Sequence, residues 1–224
     1  MAGDNDTMLL LFDYDGVIVD SFDALLAVCV EAQADLGRGR APAPEDFRTI
    51  ENLTFEELGR AIGLADGDTG PYAERVFALQ RKRWSVRPFP DIVDVLAELA
   101  ERHTLAVVTS SHGRIVASAL EEFGLGAAIA AVTGGESGTT KAVRIARLRE
   151  AHAAARESTC MIGDTAGDIR AGKEAGVRTA AVTWGFQPRD LLARESPDFI
   201  LDGPDDLRSM VRGTEGPRSP ASAQ

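Results

Sequence analysis

The chain has 224 residues, of which 44% are hydrophobic and 26% charged. These are ordinary globular proportions, enough for one domain with a modest insertion, and they exclude a wholly disordered or collagen-like chain. Lys and Arg number 24 against 35 Asp and Glu, a net charge of −11, so the surface repels phosphate backbones and anionic lipid, and neither nucleic acid nor a membrane is an expected partner.

The amino terminus, Met1-Ala2-Gly3-Asp4-Asn5-Asp6, has no basic segment leading into an apolar one, so no signal peptide is expected. No apolar run approaches the roughly 20 residues of a membrane span. A cytoplasmic setting follows. Residues 1–7 and 213–224 are polar, the latter rich in Gly, Pro and Ser, and are expected to be flexible tails. Cys29 and Cys160 sit in apolar runs and read as buried free thiols. His103, His112 and His152 lack the spacing of a zinc site.

Met8-Leu9-Leu10-Leu11-Phe12 reads as a buried strand. The stretch that follows breaks any strand rhythm. Residues 21–87 carry only helical patterns, over 24–36, 55–62 and 72–84. Turn-rich loops separate them at 37–44 and 66–71. This stretch is expected to be a small helical insertion, with Pro88-Phe89-Pro90 as its exit hinge. Helical spacing then resumes at Ile92, Val93, Val95, Leu96 and Leu99. Leu105-Ala106-Val107-Val108 is a second strand. Ile115, Val116, Ala119, Leu120 and Phe123 mark a helix ending at Gly124. Ala128-Ile129-Ala130-Ala131-Val132 is a weaker strand. A helix through Val143, Ile145, Ala146 and Leu148 precedes Cys160-Met161-Ile162. Thr179-Ala180-Ala181-Val182 is a further strand, and Phe199-Ile200-Leu201 an edge strand. Alternation of this kind predicts an α/β fold: a Rossmann-like parallel sheet with helices on both faces and a small inserted α-helical cap. The expected division is a catalytic core at 8–20 and 88–212, with the cap at 21–87.

Ligands of parallel sheets bind beyond the carboxyl ends of the strands. Four polar clusters fall at such positions: Asp13-Tyr14-Asp15-Gly16, Thr109-Ser110-Ser111, the helix start at Thr139-Thr140-Lys141, and Gly163-Asp164-Thr165-Ala166-Gly167-Asp168. Asp13, Asp15, Asp164 and Asp168 together face only Lys141, and carboxylates so crowded need a counter-cation. A hard divalent ion with oxygen ligands meets that need, and Mg²⁺ is the usual one at phosphoryl sites. The metal and Lys141 make the pocket accept a phosphate, with Thr109 and neighbouring amides on its oxygens. An Asp beside the metal can attack phosphorus. The second Asp, two positions on, shares its face if the strand continues, where it can act as general acid and then base. Each cluster alone has a plainer reading. Asp-x-Asp-Gly is ordinary turn chemistry, Thr109-Ser110-Ser111 and Asp164 or Asp168 can cap helices, and Lys141 can be a solvated lysine. Their order, each after an apolar strand or at a helix start, is what argues for a site.

That order, with Asp13-Tyr14-Asp15-Gly16-Val17-Ile18-Val19-Asp20-Ser21 first, resembles the haloacid-dehalogenase superfamily of phosphohydrolases over about 8–208. The Trp184-Gly185 pair after the fifth strand resembles its phosphoglycolate-phosphatase-like branch. The resemblance implies Asp13 as nucleophile and Asp15 as acid/base. It implies Mg²⁺ held by Asp13, the Asp15 carbonyl and Asp164, with Asp168 supporting. Thr109, Ser110 and Lys141 would bind the phosphoryl group. The chain departs from many relatives in Ala142 for Pro, Ser110 for Asn and Asp91 for Gly.

The expected function is Mg²⁺-dependent hydrolysis of a small phosphorylated metabolite, phosphoglycolate-like, through an aspartyl-phosphate, by a monomer or homodimer. A β-phosphoglucomutase-like phosphomutase is the enzymatic alternative. Such mutases tend to carry Glu before the last motif's Asp and a His in the first cap helix. Here Gly163 precedes Asp164, and no His occurs between Gly16 and His103. A non-catalytic phosphate-binding module is the other alternative, and a binder has no use for both Asp13 and Asp15. In the cap, Arg48 is a candidate for a substrate carboxylate, Asn52 belongs to the same polar stretch, and Thr54 with Glu57 reads as a capping box. Trp184 and Phe186 are expected to be packing residues.

Overall fold

The computed structural model describes residues 7–51, 53–83 and 86–213. The expected tails at 1–6 and 214–224, and Asn52 and Trp84, lie outside them. Six strands form one parallel sheet: β1 (Leu9–Phe12), β4 (Thr104–Val108), β5 (Ile129–Thr133), β6 (Thr159–Gly163), β7 (Arg178–Val182) and β8 (Phe199–Leu201). Their order is β5-β4-β1-β6-β7-β8. β1 is therefore central, flanked by β4 and β6, and the chain crosses over it after β5. That reversal opens a crevice at the carboxyl ends of β1, β4 and β6.

The apolar runs are continuous because both sheet faces are covered. Leu10 and Phe12 of β1 pack, with Leu105, Val107, Cys160 and Ile162, against α5 (Ile92–Ala100), α6 (Gly113–Glu122) and α10 (Asp206–Val211). Leu9 and Leu11 point the other way, to Ala142, Ile145 and Leu148 of α7 (Lys141–Ala151) and Ala171 of α8 (Ala166–Glu174). A short helix, α9 (Arg189–Arg194), adds Leu192 beside Ile169 and Ile200. Gly124, at φ +78°, follows the last turn of α6. Asp91 precedes α5 at φ +64°, a left-handed conformation that favours the glycine the sequence lacks there.

Between β1 and α5 lie α1 (Phe22–Leu36), α2 (Pro44–Thr49), α3 (Phe55–Ala61) and α4 (Asp66–Arg83). They enclose a second apolar cluster of Leu25, Val28, Cys29, Phe47, Leu58, Tyr72 and Val76. Two features of this stretch correct the sequence reading. The segment 66–71, expected as a loop, is the first part of α4. Asp66 and Asp68 favour a helix amino terminus, and the Thr69 hydroxyl donates to the Asp66 carbonyl at 2.9 Å. Pro71, the sixth residue of α4, has no N–H to give the Gly67 carbonyl, so the helix runs through it with one ladder bond fewer. The second is a two-residue antiparallel ribbon of β2 (Val19–Asp20) and β3 (Arg87–Pro88), with Val19 opposite Pro88 and Asp20 opposite Arg87. Two-residue strands leave no periodicity to read.

Both thiols are free and buried, and burial pushes each up to about 12. No helix among the described residues is long and apolar enough to cross a membrane.

Candidate active site

β1 ends at Phe12, but the Asp13 N–H still donates to the Ile162 carbonyl at 2.9 Å, so Asp13 leaves the sheet edge in register with β6. The chain then turns tightly, with Gly16 N–H donating to the Val19 carbonyl at 2.9 Å. Gly16 has φ +76°, and a Cβ there would lie 2.0 Å from Asp164 Oδ2. Only glycine meets both conditions. Asp164 follows β6 directly. Gly185, arriving from β7, also presses on it, where a Cβ would come within 2.3 Å of Asp164 Cβ and 2.5 Å of the same Oδ2.

Lys141 opens α7, which Thr140 caps by accepting the Val143 N–H at 3.3 Å. Lys141 Nζ donates to Asp13 Oδ2 at 2.8 Å and to Asp168 Oδ1 at 2.5 Å. The other Asp168 oxygen accepts from the Thr165 N–H at 3.1 Å and the Thr165 hydroxyl at 2.7 Å. The Thr165 hydroxyl oxygen in turn accepts the Asp168 N–H. The N-cap of α8 is thus Thr165 rather than Asp164 or Asp168, and Asp168 completes its capping box from the first turn while anchoring Lys141. Asp164 Oδ2 accepts the Phe186 N–H at 2.8 Å, whereas its Oδ1 is buried with no hydrogen-bond partner.

Oxygens of Asp13, Asp164 and Asp168 lie within 4.8 Å of one another, a cluster able to hold a metal ion. The Asp15 carboxylate stands apart from it. Its Oδ2 accepts from the Ser111 hydroxyl at 2.6 Å. Thr109 is fully buried and does not cap α6, whose N-cap is His112; its hydroxyl oxygen accepts the Ser111 N–H at 3.0 Å. Glu136 supplies the missing cap by accepting the Gly113 N–H at 3.0 and 3.1 Å.

The electrostatics follow from burial. Asp13 is pushed up to about 7 by desolvation, with Lys141 opposing and Asp168 and Asp15 reinforcing the shift. Asp164 is raised well above the carboxylate range, by burial first and then by Asp168 and Asp13. Burial also raises Asp15, against the pull of the Ser111 hydrogen bond. Burial alone would lower Lys141, but Asp13 and Asp168 outweigh it, and its ammonium is retained. The site thus holds one firm positive charge and a surplus of carboxylates.

A cavity of about 130 Å³ brings together Asp13, Asp15, Thr109, Ser110, Ser111, Lys141 and Asp164 with Leu25, Leu53, Phe55, Phe77 and Gln80 from the helical stretch. Arg48 is not brought there. It is exposed in the last turn of α2, because that short helix turns the neighbouring Phe47 inward. Thr54 is the N-cap of α3, accepting the Glu57 N–H at 3.2 Å, but Glu57 pairs with Arg60 at 2.6 Å rather than completing a capping box.

Three contributors were not legible beforehand. Ser111 holds Asp15. Phe186 does more than pack, since its amide holds Asp164. The Arg144 guanidinium is buried and donates to the Thr109 carbonyl and, at 3.3 Å, to the Thr133 carbonyl, tying α7 to the ends of β4 and β5. The sequence signal for Arg144 is faint: a charged residue amid the apolar spacing of α7.

A loop with two aspartates after the central strand, a lysine at a helix start and a buried carboxylate pair after β6 are the pattern of a hydrolase of the haloacid-dehalogenase type. Residues 10–182 match the family model described as haloacid dehalogenase-like hydrolase, and the chain belongs to that family. It resembles phosphoglycolate phosphatases from Synechococcus elongatus, 27% identical over 90% of this chain and 96% of that one, and Pseudomonas aeruginosa, 29% identical over 89% and 78%. The family match together with these relatives supports phosphoric monoester hydrolase activity. Its fold matches that of a haloacid dehalogenase-like hydrolase from Streptococcus pneumoniae, with a TM-score of 0.81 and 22% identity over 92% of this chain and 98% of that one.

Proposed function

We propose that the chain is a Mg²⁺-dependent phosphatase that hydrolyses a small phosphate monoester through a phosphorylated Asp13. The observation that carries this is the buried group of Asp13, Asp164 and Asp168 around one ammonium, at the ends of adjacent strands. The residues fit a hard cation. The donors are carboxylate oxygens, and Asp164 Oδ1 is buried without a partner. Asp13, Asp164 and the Asp15 carbonyl would hold the metal. Asp168 supports the site by holding Lys141. When bound, the ion supplies charge that neutralises the carboxylates and the phosphoryl oxygens.

The chain's own residues do the rest. Lys141 and the amides and hydroxyls after β4, at Thr109 and Ser110, bind the phosphoryl oxygens. An Asp13 oxygen attacks phosphorus, and the bond from phosphorus to the ester oxygen breaks. Asp15, whose carboxyl burial raises above its usual range, gives a proton to the leaving oxygen. Asp15 then takes a proton from water as that water attacks phosphorus. The bond to Asp13 breaks, releasing phosphate and restoring the carboxylate. Helices α1–α4, at 21–87, act as a cap over the core at 8–20 and 88–212, closing the pocket against bulk water with Leu25, Leu53, Phe55 and Phe77. The relatives' substrate, phosphoglycolate, is the first compound to assay.

The two aspartates separate on mutation. Asp13→Asn should bring turnover to background, because the amide cannot attack phosphorus. Asp15→Asn should lose about 10²–10⁴-fold on an alkyl phosphate. It should lose far less in the first step on an aryl phosphate, whose leaving group needs little protonation. Rapid-quench phosphoenzyme assays with both esters test this. An acid-stable, base-labile phosphoenzyme in Asp13→Asn, or equal first-step losses in Asp15→Asn, overturns the roles.

A further inference from the structure

Beside the catalytic cavity lies a second chamber of about 400 Å³, lined by Phe77, Ser111, His112, Ile115, Val116 and Glu136 among others. It is about three times the 130 Å³ above the carboxylates, and the two share Phe77, Gln80, Ser110 and Ser111. We propose that this chamber is the subsite for the alcohol part of the substrate, and that it selects a neutral, ring-sized, hydroxyl-bearing alcohol over a two-carbon acid. The proposal rests on the catalytic roles given above and adds the substrate class.

Direction comes first. The leaving oxygen must lie within hydrogen-bond reach of Asp15. Asp15 Oδ2 is 2.6 Å from the Ser111 hydroxyl, and Ser111 forms the wall common to both cavities. With the phosphoryl group on Lys141 and the leaving oxygen at Asp15, the alcohol points past Ser111 into the chamber. Size comes second, since 400 Å³ lies within the usual range for small-molecule sites, whereas glycolate would leave most of it to water.

Chemistry comes third. Phe77 and Ile115 are 41% and 39% exposed, unusual for large apolar side chains, and both face this chamber. They offer an apolar wall to the C–H face of a ring. Glu136 lies opposite in charge character. Its carboxylate accepts the Gly113 N–H and is held below the usual range by that bond, so it is ionised near neutrality. An ionised carboxylate accepts hydrogen bonds from hydroxyls and repels a substrate carboxylate. His112 and Gln80 add further polar edges. Phosphate esters of sugar-sized polyols have both features, a flat apolar face and a rim of hydroxyls.

The test compares glucose 6-phosphate with phosphoglycolate in the full chain with Mg²⁺, by kcat/KM, and measures binding of glucose 6-phosphate to the Asp13→Asn protein by calorimetry. The wild type should favour the sugar phosphate at least tenfold. Ile115→Trp, which fills the chamber from a partly exposed position, should lower that ratio at least tenfold and weaken glucose 6-phosphate binding to Asp13→Asn by a similar factor. Glu136→Gln should lower the ratio from the other side, by removing the repulsion of phosphoglycolate, and stands in if the tryptophan variant fails to fold. A wild type that prefers phosphoglycolate, with a ratio that neither substitution moves, overturns the chamber while leaving the phosphatase reading intact. Ile115-sensitive binding of glucose 6-phosphate without turnover of any ester, aryl phosphate included, supports the chamber and overturns the catalytic roles instead.

Discussion

Asp164 is gripped from three directions. The Phe186 amide donates to it, Gly16 leaves room for one oxygen, and Gly185 leaves room for its Cβ. The pressure at Gly185 comes from fixed atoms, since a Cβ there would also lie 2.5 Å from the Gly16 carbonyl oxygen. The third close atom, Asp164 Oδ2 at 2.5 Å, ends a side chain but is held by the Phe186 amide. Gly185→Ala must therefore shift Asp164 or the Gly16 turn, and shifts of about 1 Å in reacting groups cost on the order of 100-fold in rate. The expected result is a kcat/KM reduced by about that factor, with far-ultraviolet circular dichroism unchanged. Wild-type kcat/KM in this variant would show that Asp164 tolerates displacement and does not hold the metal.

At the scale of an element, α2 is tied at its start by one ion pair. Its Asp46 is nearly buried and receives Arg40 through both guanidinium nitrogens, at 2.7 and 2.5 Å, as well as the Ala43 N–H at 2.8 Å. Arg40 is largely exposed, which discounts the Coulombic part. Asp46→Asn should still cost about 1 kcal/mol, mainly through the lost charge-assisted hydrogen bonds at the helix start. The Arg40 hydrogen bond holds the Asp46 carboxyl below its usual range. Its stabilisation is thus complete above the unfolded value near 3.8 and fades as pH falls through the lower folded value. Urea melts should show the gap between wild type and variant at neutral pH and its closure in strong acid. A gap that persists unchanged in acid would mean that packing, not the charge, sets the cost. The short helix itself was not foreseen, and 44–49 offers too few residues for an apolar period to emerge. By contrast, α5 and α6 each show several apolar residues on one face and were read correctly.

For the whole molecule, the site's charge surplus couples stability to metal and pH. Burial raises Asp13 to about 7 and lifts Asp164 well above its usual value, so the folded state without metal binds more protons than the unfolded chain. Stability from these groups is full below about pH 4 and is lost as pH rises through the raised folded values. In chelator, the site's contribution to Tm should therefore decline from about pH 4 to pH 7 and beyond. Mg²⁺ should reverse this, since a ligand at a hundred times its Kd adds about 2.7 kcal/mol, or roughly 5–10 °C for a chain of this size. Asp164→Asn should abolish the Mg²⁺ shift and melt no lower than wild type in chelator at pH 8. Identical wild-type Tm with and without Mg²⁺ would overturn the metal site.

What sequence alone determined here is what short-range pattern encodes. Runs of Leu, Val and Ala apolar on both sides specify buried parallel strands, and the polar residues that end them mark the sheet edge where ligands bind. Asp13, Asp15, Thr109 and Asp164 were legible for that reason, Lys141 from the helix start after Thr139-Thr140, and Thr54 as a cap because its partner lies three residues away. Tertiary structure decided the contacts that no local rule reaches. The Ser111 hydroxyl meets Asp15 across 96 positions, and the Phe186 amide meets Asp164 across 22. Arg48 could be excluded from the pocket only once α2 had set which way Phe47 turns. The side chamber exists only because α4 brings Phe77 over the start of α6. Such contacts depend on how whole elements pack, and packing is fixed by shape and burial summed over both faces of the sheet, to which any single residue's neighbours in sequence contribute little.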